Sequence, residues 1–343
     1  MNSIRSYAKV LVTAAALTLL TMGSTVHAQD MQSVIGRHGA FTVTCLSIPD
    51  IGRGAGLALI LQTPEGHTYL YDTGSGYPTT AHASGWVGNF NAGRDLIDPF
   101  LRKHHIKKID GVAISHAHWD HYGGLIWLID HYKIGKVYDS GYDIPGPVPP
   151  EWQLELHGYS KLRDRFKRLG IYQKVAAGDK LPWDKKLDVE VIAPPKGFFP
   201  ELKQDFYPKN DIPAHHLVNA NSMEIRIRHG NLVFLFPGDI QGVDQVASLL
   251  HIVPAEKLKA DILIAPGHGI SAHQTPEFAA AVQPKIVVAS VFKRIAGSSN
   301  APAIYGKYGA KVYITGLDGA VTILSDGYHF DVHTEGNNET NYF

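Results

Sequence analysis

Two β-rich halves in succession, each interleaved with helices, predict an α/β fold in which two sheets pack face to face with the helices outside. Two further observations agree. Hydrophobic residues make up 44% of the 343 residues and charged residues 19%, which is ample apolar material for a core. No Pro/Ser-rich linker and no strong internal repeat divides the halves, so residues 29–326 read as one domain. A polar tail, 327–343, is expected to follow it.

The first 28 residues stand apart from the fold. Arg5 and Lys9 make a short basic start, Val10 to Leu20 is apolar, and Val26-His27-Ala28 ends in the pattern of a cleavage site. This predicts a signal peptide, a mature chain starting at Gln29, and a periplasmic or secreted location. The apolar stretch falls short of the ~20 residues that span a bilayer, so no stable membrane insertion is expected after cleavage. Cys45 is the single cysteine and lies in an alternating run, so it reads as a buried small hydrophobe and no intramolecular disulfide can form. The chain carries 32 basic and 32 acidic residues; without Arg5 and Lys9 the balance is 30 against 32, or −2. That charge supplies no global attraction for a polyanion.

Along the mature chain, residues 56–62 and 67–71 predict a hairpin around Pro64-Glu65-Gly66. A helix follows over 94–105, a short buried strand over 111–115, and a second helix from His121 to about His131. The section 141–217 is the least regular. It opens with a Pro/Gly-rich loop at 144–150 and holds a helix over 156–169 bearing Lys161, Arg163, Arg165, Lys167 and Arg168. Strands return at 187–193, 222–228 and 232–236, and a strand at 261–265 lies between helices at 243–250 and 276–282. The last strands are 286–291, 311–315 and 320–324.

The chemistry concentrates in Ser115-His-Ala-His-Trp-Asp-His121. A buried strand ends at Ser115, and the ligand-type residues fall in the turn before a helix. In extended backbone His116 and His118 project to one side and can chelate one ion. Asp120 and His121 then point toward a second position, and Gly123 and Gly124 let the helix start pack closely beneath. One such histidine alone is ordinarily a core or solvated side chain. Three histidines and an aspartate in six residues point to a metal site.

His-x-His-x-Asp-His resembles the signature of the metallo-β-lactamase superfamily, and further landmarks occur in its order. Asp72 in Tyr-Asp-Thr-Gly resembles the aspartate that braces the metal loop. Asp239 in Pro-Gly-Asp resembles the aspartate that bridges two metals, and His268 in Pro-Gly-His-Gly the last histidine ligand. The resemblance runs from about residue 40 to 325 and implies the αββα sandwich of two mixed sheets. It implies metal ligands His116, His118, Asp120, His121, Asp239 and His268, holding two Zn2+, with Mn2+ or Mg2+ as alternatives. Asp120, Asp239 and Asp72 are the implied catalytic carboxylates: one orients or deprotonates a water, one sets the metal spacing, one holds the histidine loop.

Asn219-Ala-Asn-Ser222, the Pro-Gly-His-Gly turn and Pro284 to Ser290 resemble the hydrolase domain of the bacterial competence DNA-uptake family. That resemblance implies a phosphodiesterase or nuclease acting on DNA or a small phosphodiester. The chain departs from that pattern at Gly267, Ile270 and Ala301, where the family has His, Ser and His, and in its additional loop at 144–150. A histidine that many relatives place before the bridging aspartate falls near Asn219, with His215 and His216 just upstream. Asp239 argues against a β-lactam-cleaving role, since such relatives typically lack it. Two other readings stay open: a lactonase, thioesterase or other carbonyl-ester hydrolase, and a non-catalytic binding protein on the same fold. Substrate and oligomeric state are not set by the sequence. The basic helix reads as a solvated face, with a phosphate grip as its alternative. Trp86, Trp119 and Trp152 can line a cleft, Trp119 equally packing beneath the metal loop.

Overall fold

Apolar side chains at two-residue spacing build the sheets. In β1 (Phe41–Cys45), Phe41, Val43 and Cys45 face one way; in β2 (Ala58–Gln62), Leu59 and Leu61 join them while Ala58 and Ile60 turn to the opposite face. The computed structural model describes residues 39–50, 56–76, 90–143, 153–199, 213–270 and 273–336. The expected signal peptide, the loop 144–150, Trp86 and Trp152 lie outside them.

Eight strands form the first sheet. To β1 and β2 it adds β3 (Thr68–Thr73), β4 (Lys108–Ala113), β5 (Lys133–Asp139), β6 (Tyr172–Lys174), β14 (Val321–Ser325) and β15 (Phe330–Thr334), in the order β15-β14-β1-β2-β3-β4-β5-β6. The second holds β7 (Lys180–Leu181), β8 (Leu187–Ala193), β9 (Glu224–His229), β10 (Leu232–Phe236), β11 (Ile262–Ile264), β12 (Ile286–Ala289) and β13 (Lys311–Ile314), in the order β13-β12-β11-β10-β9-β8-β7. Each sheet is mixed. β3 to β6 run parallel, as do β10 to β13, and helices make the crossovers that parallel neighbours require. The helix Trp119–His131 links β4 to β5, and Pro276–Val282 links β11 to β12.

Three apolar layers result. Phe41, Tyr71, Val191, Ile225 and Phe234 fill the space between the sheets. Ile60, Val112, Leu125 and Phe166 pack the first sheet against its helices, and Leu235, Leu263, Val246 and Phe278 do so for the second. This is the αββα sandwich expected. Cys45 is buried among the sheet-facing residues, and burial pushes its thiol up to about 12, which leaves it a small hydrophobe.

Some boundaries differ from the sequence reading. The tail does not begin at 327: Phe330 and Val332 alternate against the core between the sheets, so β15 pairs antiparallel with β14. The helix expected over 94–105 is a π-helical turn, Gly93–Ile97, running into Asp98–Lys103. The irregular middle contains a helix, Pro213–Ala220. Trp119 is buried with the first sheet's helix-side core, so it packs beneath the metal loop.

Candidate metal centre

The site forms where strands from both sheets end. β4 leads into Ser115 and His116, β10 into Asp239, β11 into His268, and β3 carries Asp72 near its end. The sheets are tied together directly beneath it. Met223 N donates to Ser115 O at 2.7 Å, and the Tyr71 hydroxyl lies 2.8 and 3.1 Å from the carbonyls of Met223 and Phe236.

The helix bearing Asp120 and His121 is locked onto β3. Cβ atoms at Gly123 and Gly124 would fall 2.1 Å from Gly76 N and 2.1 Å from Thr73 O, so only glycine permits the approach. Thr73 Oγ1 donates to His121 O and accepts from Leu125 N, both at 3.0 Å. The sequence gives no direct sign of the Thr73 clamp beyond its place after Asp72.

Asp72 is wholly buried, at a φ of +57°, and gathers three partners. Its carboxylate accepts from Ser115 N and Ser115 Oγ, each at 2.7 Å, and lies 2.8 Å from His121 Nδ1. Burial pushes Asp72 up, and the His121 ring and the Ser115 bonds oppose that push. With its Nδ1 held this way, His121 presents Nε2 to the site. Ser115 Oγ also reaches His116 Nδ1 at 2.9 Å, a bridging role the sequence reading missed.

His121 Nε2 then meets His268 Nε2 at 3.3 Å and Asp239 Oδ2 at 3.4 Å, and His268 Nε2 meets Asp239 Oδ2 at 3.3 Å. Asp120 closes the cage, its carboxylate 3.5 Å from His268 and 3.9 Å from His121. Two donors on one tetrahedral zinc at ~2.0–2.1 Å stand about 3.3–3.4 Å apart. The residues therefore fit a divalent ion in both geometry and chemistry. A second grouping of donor atoms joins His116, His121 and Asp239.

The electrostatics are those of a cation cage. Burial would depress His121, yet Asp239, Asp72 and Asp120 raise it well above the ordinary imidazole range. Burial likewise opposes, and Asp239 and Asp120 outweigh it, in lifting His268 to about 9. Burial works against Asp239 and Asp120 as anions, but His268 and His121 hold both carboxyls down. His116 is pushed down to about 3 by burial and then by His121, so it stands as the neutral imidazole that ligates metals.

Five of the seven residues singled out from the sequence, His116, Asp120, His121, Asp239 and His268, thus fall in the two donor groupings, and Asp72 joins them through His121. The seventh, His118, stands outside both donor groupings, with Nδ1 2.9 Å from His116 Nε2. Joint chelation and that hydrogen bond use the same nitrogens, so an ion held by the pair would replace the bond. Asn219 is buried and its Oδ1 has no hydrogen-bond partner, while Asn221 is engaged by Phe199 N and Leu217 O. The side chains of His215 and His216 lie outside the described residues. On the basic helix, Gln153–Arg168, Lys161 and Arg168 stand exposed while the other three basic residues are held by carboxylates. Arg163 is buried against Asp139 and Asp143, Arg165 pairs with Asp130, and Lys167 with Asp164.

Two mixed sheets between helices, with a histidine–aspartate cage at the strand ends, define a metal-dependent hydrolytic enzyme fold. The chain belongs to the metallo-beta-lactamase superfamily, whose model matches residues 51–291. It is similar to ComE operon protein 3 of Bacillus subtilis (strain 168), 24% identical over 264 residues that cover 74% of this chain and 30% of that protein. It is also similar to the uncharacterized protein YcaI of Escherichia coli (strain K12), 38% identical over 72 residues, 21% of this chain and 8% of that protein. The aligned part is thus less than a third of either curated relative's length. Among solved structures it is similar to CmlA, a diiron beta-hydroxylase from Streptomyces venezuelae, at 15% identity and TM-score 0.46 over 82% of this chain and 53% of that one. The metallo-beta-lactamase SMB-1 is similar at 14% identity and TM-score 0.36, over 66% of this chain and 81% of that one. No described helix is long and apolar enough to cross a membrane.

Proposed function

We propose that this chain is an exported phosphodiesterase, with a nuclease role as its specific form, working with zinc or manganese. The observation that carries the reading is the position of Asp239. It lies 3.3–3.4 Å from His268 and His121 and also groups with His116, so one carboxylate adjoins both metal positions. A carboxylate so placed could hold two divalent ions, which would suit in-line displacement at phosphorus, where charge builds on both the attacking and the leaving oxygen. Similarity to ComE operon protein 3 over 74% of the chain supports the same choice.

A bound divalent cation supplies Lewis acidity and brings the ionisation of a water toward neutral pH. The chain's own residues do the rest. Asp120 is the most exposed carboxylate of the cage, its side chain 15% accessible, and it accepts the proton the attacking water sheds. Asp239 and His268 fix the opposite wall. Asp72, sealed from solvent, holds the His121 tautomer and takes no proton from substrate.

The test is hydrolysis of a chromogenic phosphodiester by the mature protein loaded separately with Zn2+ and Mn2+, with His121→Ala as control. Turnover lost in the variant supports the reading, and single-stranded against double-stranded DNA then defines the substrate. Turnover of lactones or thioesters without phosphodiester cleavage overturns it, as does bound metal with no turnover of either class.

A further inference from the structure

Three successive residues around the last histidine ligand adopt left-handed backbone. Gly267, His268 and Gly269 have φ of +50°, +60° and +80°. A side-chain-bearing residue there costs about 1–2 kcal/mol, and such a turn persists only where its surroundings hold it. The holders are visible. Gln274 Nε2 donates to Pro266 O at 2.5 Å and is itself fixed by the Tyr305 hydroxyl at 2.9 Å, while Ser299 Oγ donates to Gly269 O at 2.7 Å.

The third holder is His273, whose Nδ1 lies 2.8 Å from Gly267 O. A carbonyl only accepts, so Nδ1 carries the proton and the tautomer is fixed. The ring also lies against the Gly267 backbone. A Cβ there would stand 2.1 Å from Nδ1 and 2.4 Å from Cγ, so the His273 ring and any side chain at 267 exclude one another. His273 thus lies against the residue that precedes His268, though it belongs to neither donor grouping.

We propose that His273 is the positioning residue for His268. Its Nδ1–H clamps the left-handed turn and thereby sets where the His268 ring meets Asp120 and Asp239. This rests on the metal reading of the cage and is independent of the substrate. It accounts for a glycine at 267, since that is the residue a ring lying on the backbone requires.

The experiment is a Co2+ titration of the mature protein followed by visible absorption, with thermal unfolding of the metal-free forms alongside. The wild type is expected to bind Co2+, and His273→Ala to bind it ten- to a hundredfold more weakly, the size usual for the partners that orient a ligand. The absorption band should change shape as well. His273→Asn, whose amide N–H takes the place of Nδ1–H, should recover most of the affinity and the wild-type band. If His273→Ala does not fold, His273→Leu against His273→Asn makes the same comparison, because leucine fills the ring's space without a donor. Unaltered affinity and spectrum in the Ala or Leu form overturn the proposal, as does an Asn form as impaired as they are. A wild type that binds no Co2+ overturns it together with the metal reading.

Discussion

Replacing Asp72 by asparagine tests the tautomer of His121 while keeping the size of the side chain, at the cost of one buried charge and of the acceptor for Ser115 Oγ. Asn adopts left-handed backbone as readily as Asp, so the φ of +57° is no obstacle, and the volume hardly changes. What changes is the donor inventory. Asp72 accepts from Ser115 N, Ser115 Oγ and His121 Nδ1 at 2.7, 2.7 and 2.8 Å. With the amide oxygen kept on the Ser115 N–H, the amide nitrogen faces His121 Nδ1 and donates to it. The imidazole proton then moves to Nε2, the atom that lies 3.3 Å from His268 and 3.4 Å from Asp239. A protonated Nε2 cannot ligate, so metal affinity should fall ten- to a hundredfold, or about 1.4–2.7 kcal/mol. Competition against a chelating indicator reads the loss, and unfolding of the metal-free protein checks that the loop survives. An Asp72→Asn variant that folds and binds zinc with wild-type affinity would refute the tautomer argument.

Three more outcomes are expected. Because His268 is lifted to about 9 and His121 also titrates high, an incoming ion must displace their protons; apparent affinity should climb between pH 6 and 8.5, with proton release in weak buffer, and a flat profile contradicts this. Glu224 is wholly buried with neither carboxyl oxygen hydrogen-bonded, and burial raises its pKa well above 4.5. Its folded form keeps a proton that the unfolded chain releases above pH 4.5, so stability falls as pH rises through that window; Glu224→Met should gain about 1–3 kcal/mol at pH 7 in urea unfolding, and less in acid. Gly124→Ala should destabilise by about 1–3 kcal/mol in the same assay, the 2.1 Å clash with Thr73 O outweighing the ~1 kcal/mol that alanine adds to an unhindered helix.

The chemistry that lies close in sequence was legible in it. His116, Asp120 and His121 sit within six residues, and strand-end placement tells which way they can converge. Asp72 and His268 reach His121 across 49 and 147 residues, so no local pattern pairs them, and only likeness to a family motif assigned them. Two residues apart in extended backbone predicts a shared side for His116 and His118, and although His118 immediately precedes a helix its backbone stays extended and its Nδ1 lies 2.9 Å from His116 Nε2. β5 escaped notice because Lys133 and Lys136 interrupt its apolar run where the strand is exposed. β15 was hidden by length and polarity, since only Phe330 and Val332 carry the alternation. The clamps on the ligand turns were beyond reach for a plainer reason. Ser115, Thr73 and Ser299 are ordinary hydroxyl residues until the fold brings a carbonyl or imidazole to them.

Counting lone pairs shows that the two donor groupings are unequally supplied. His121 occurs in both donor groupings, but with Nδ1 turned to Asp72 it has one lone pair to give, on Nε2, and could serve one ion. Its spacing to His268 and Asp239 assigns it to the position those residues share with Asp120, which then has four protein donors. The other grouping then keeps His116 and Asp239, which His118 could join only by giving up its bond to His116. The small cavity beside His116 adds no free donor from Asn221, whose amide is engaged by Phe199 N and Leu217 O. A first divalent ion is therefore expected on the His121–His268 side and a second, weaker one on the His116 side, and a metal titration that fills two sites with a single affinity would contradict that order.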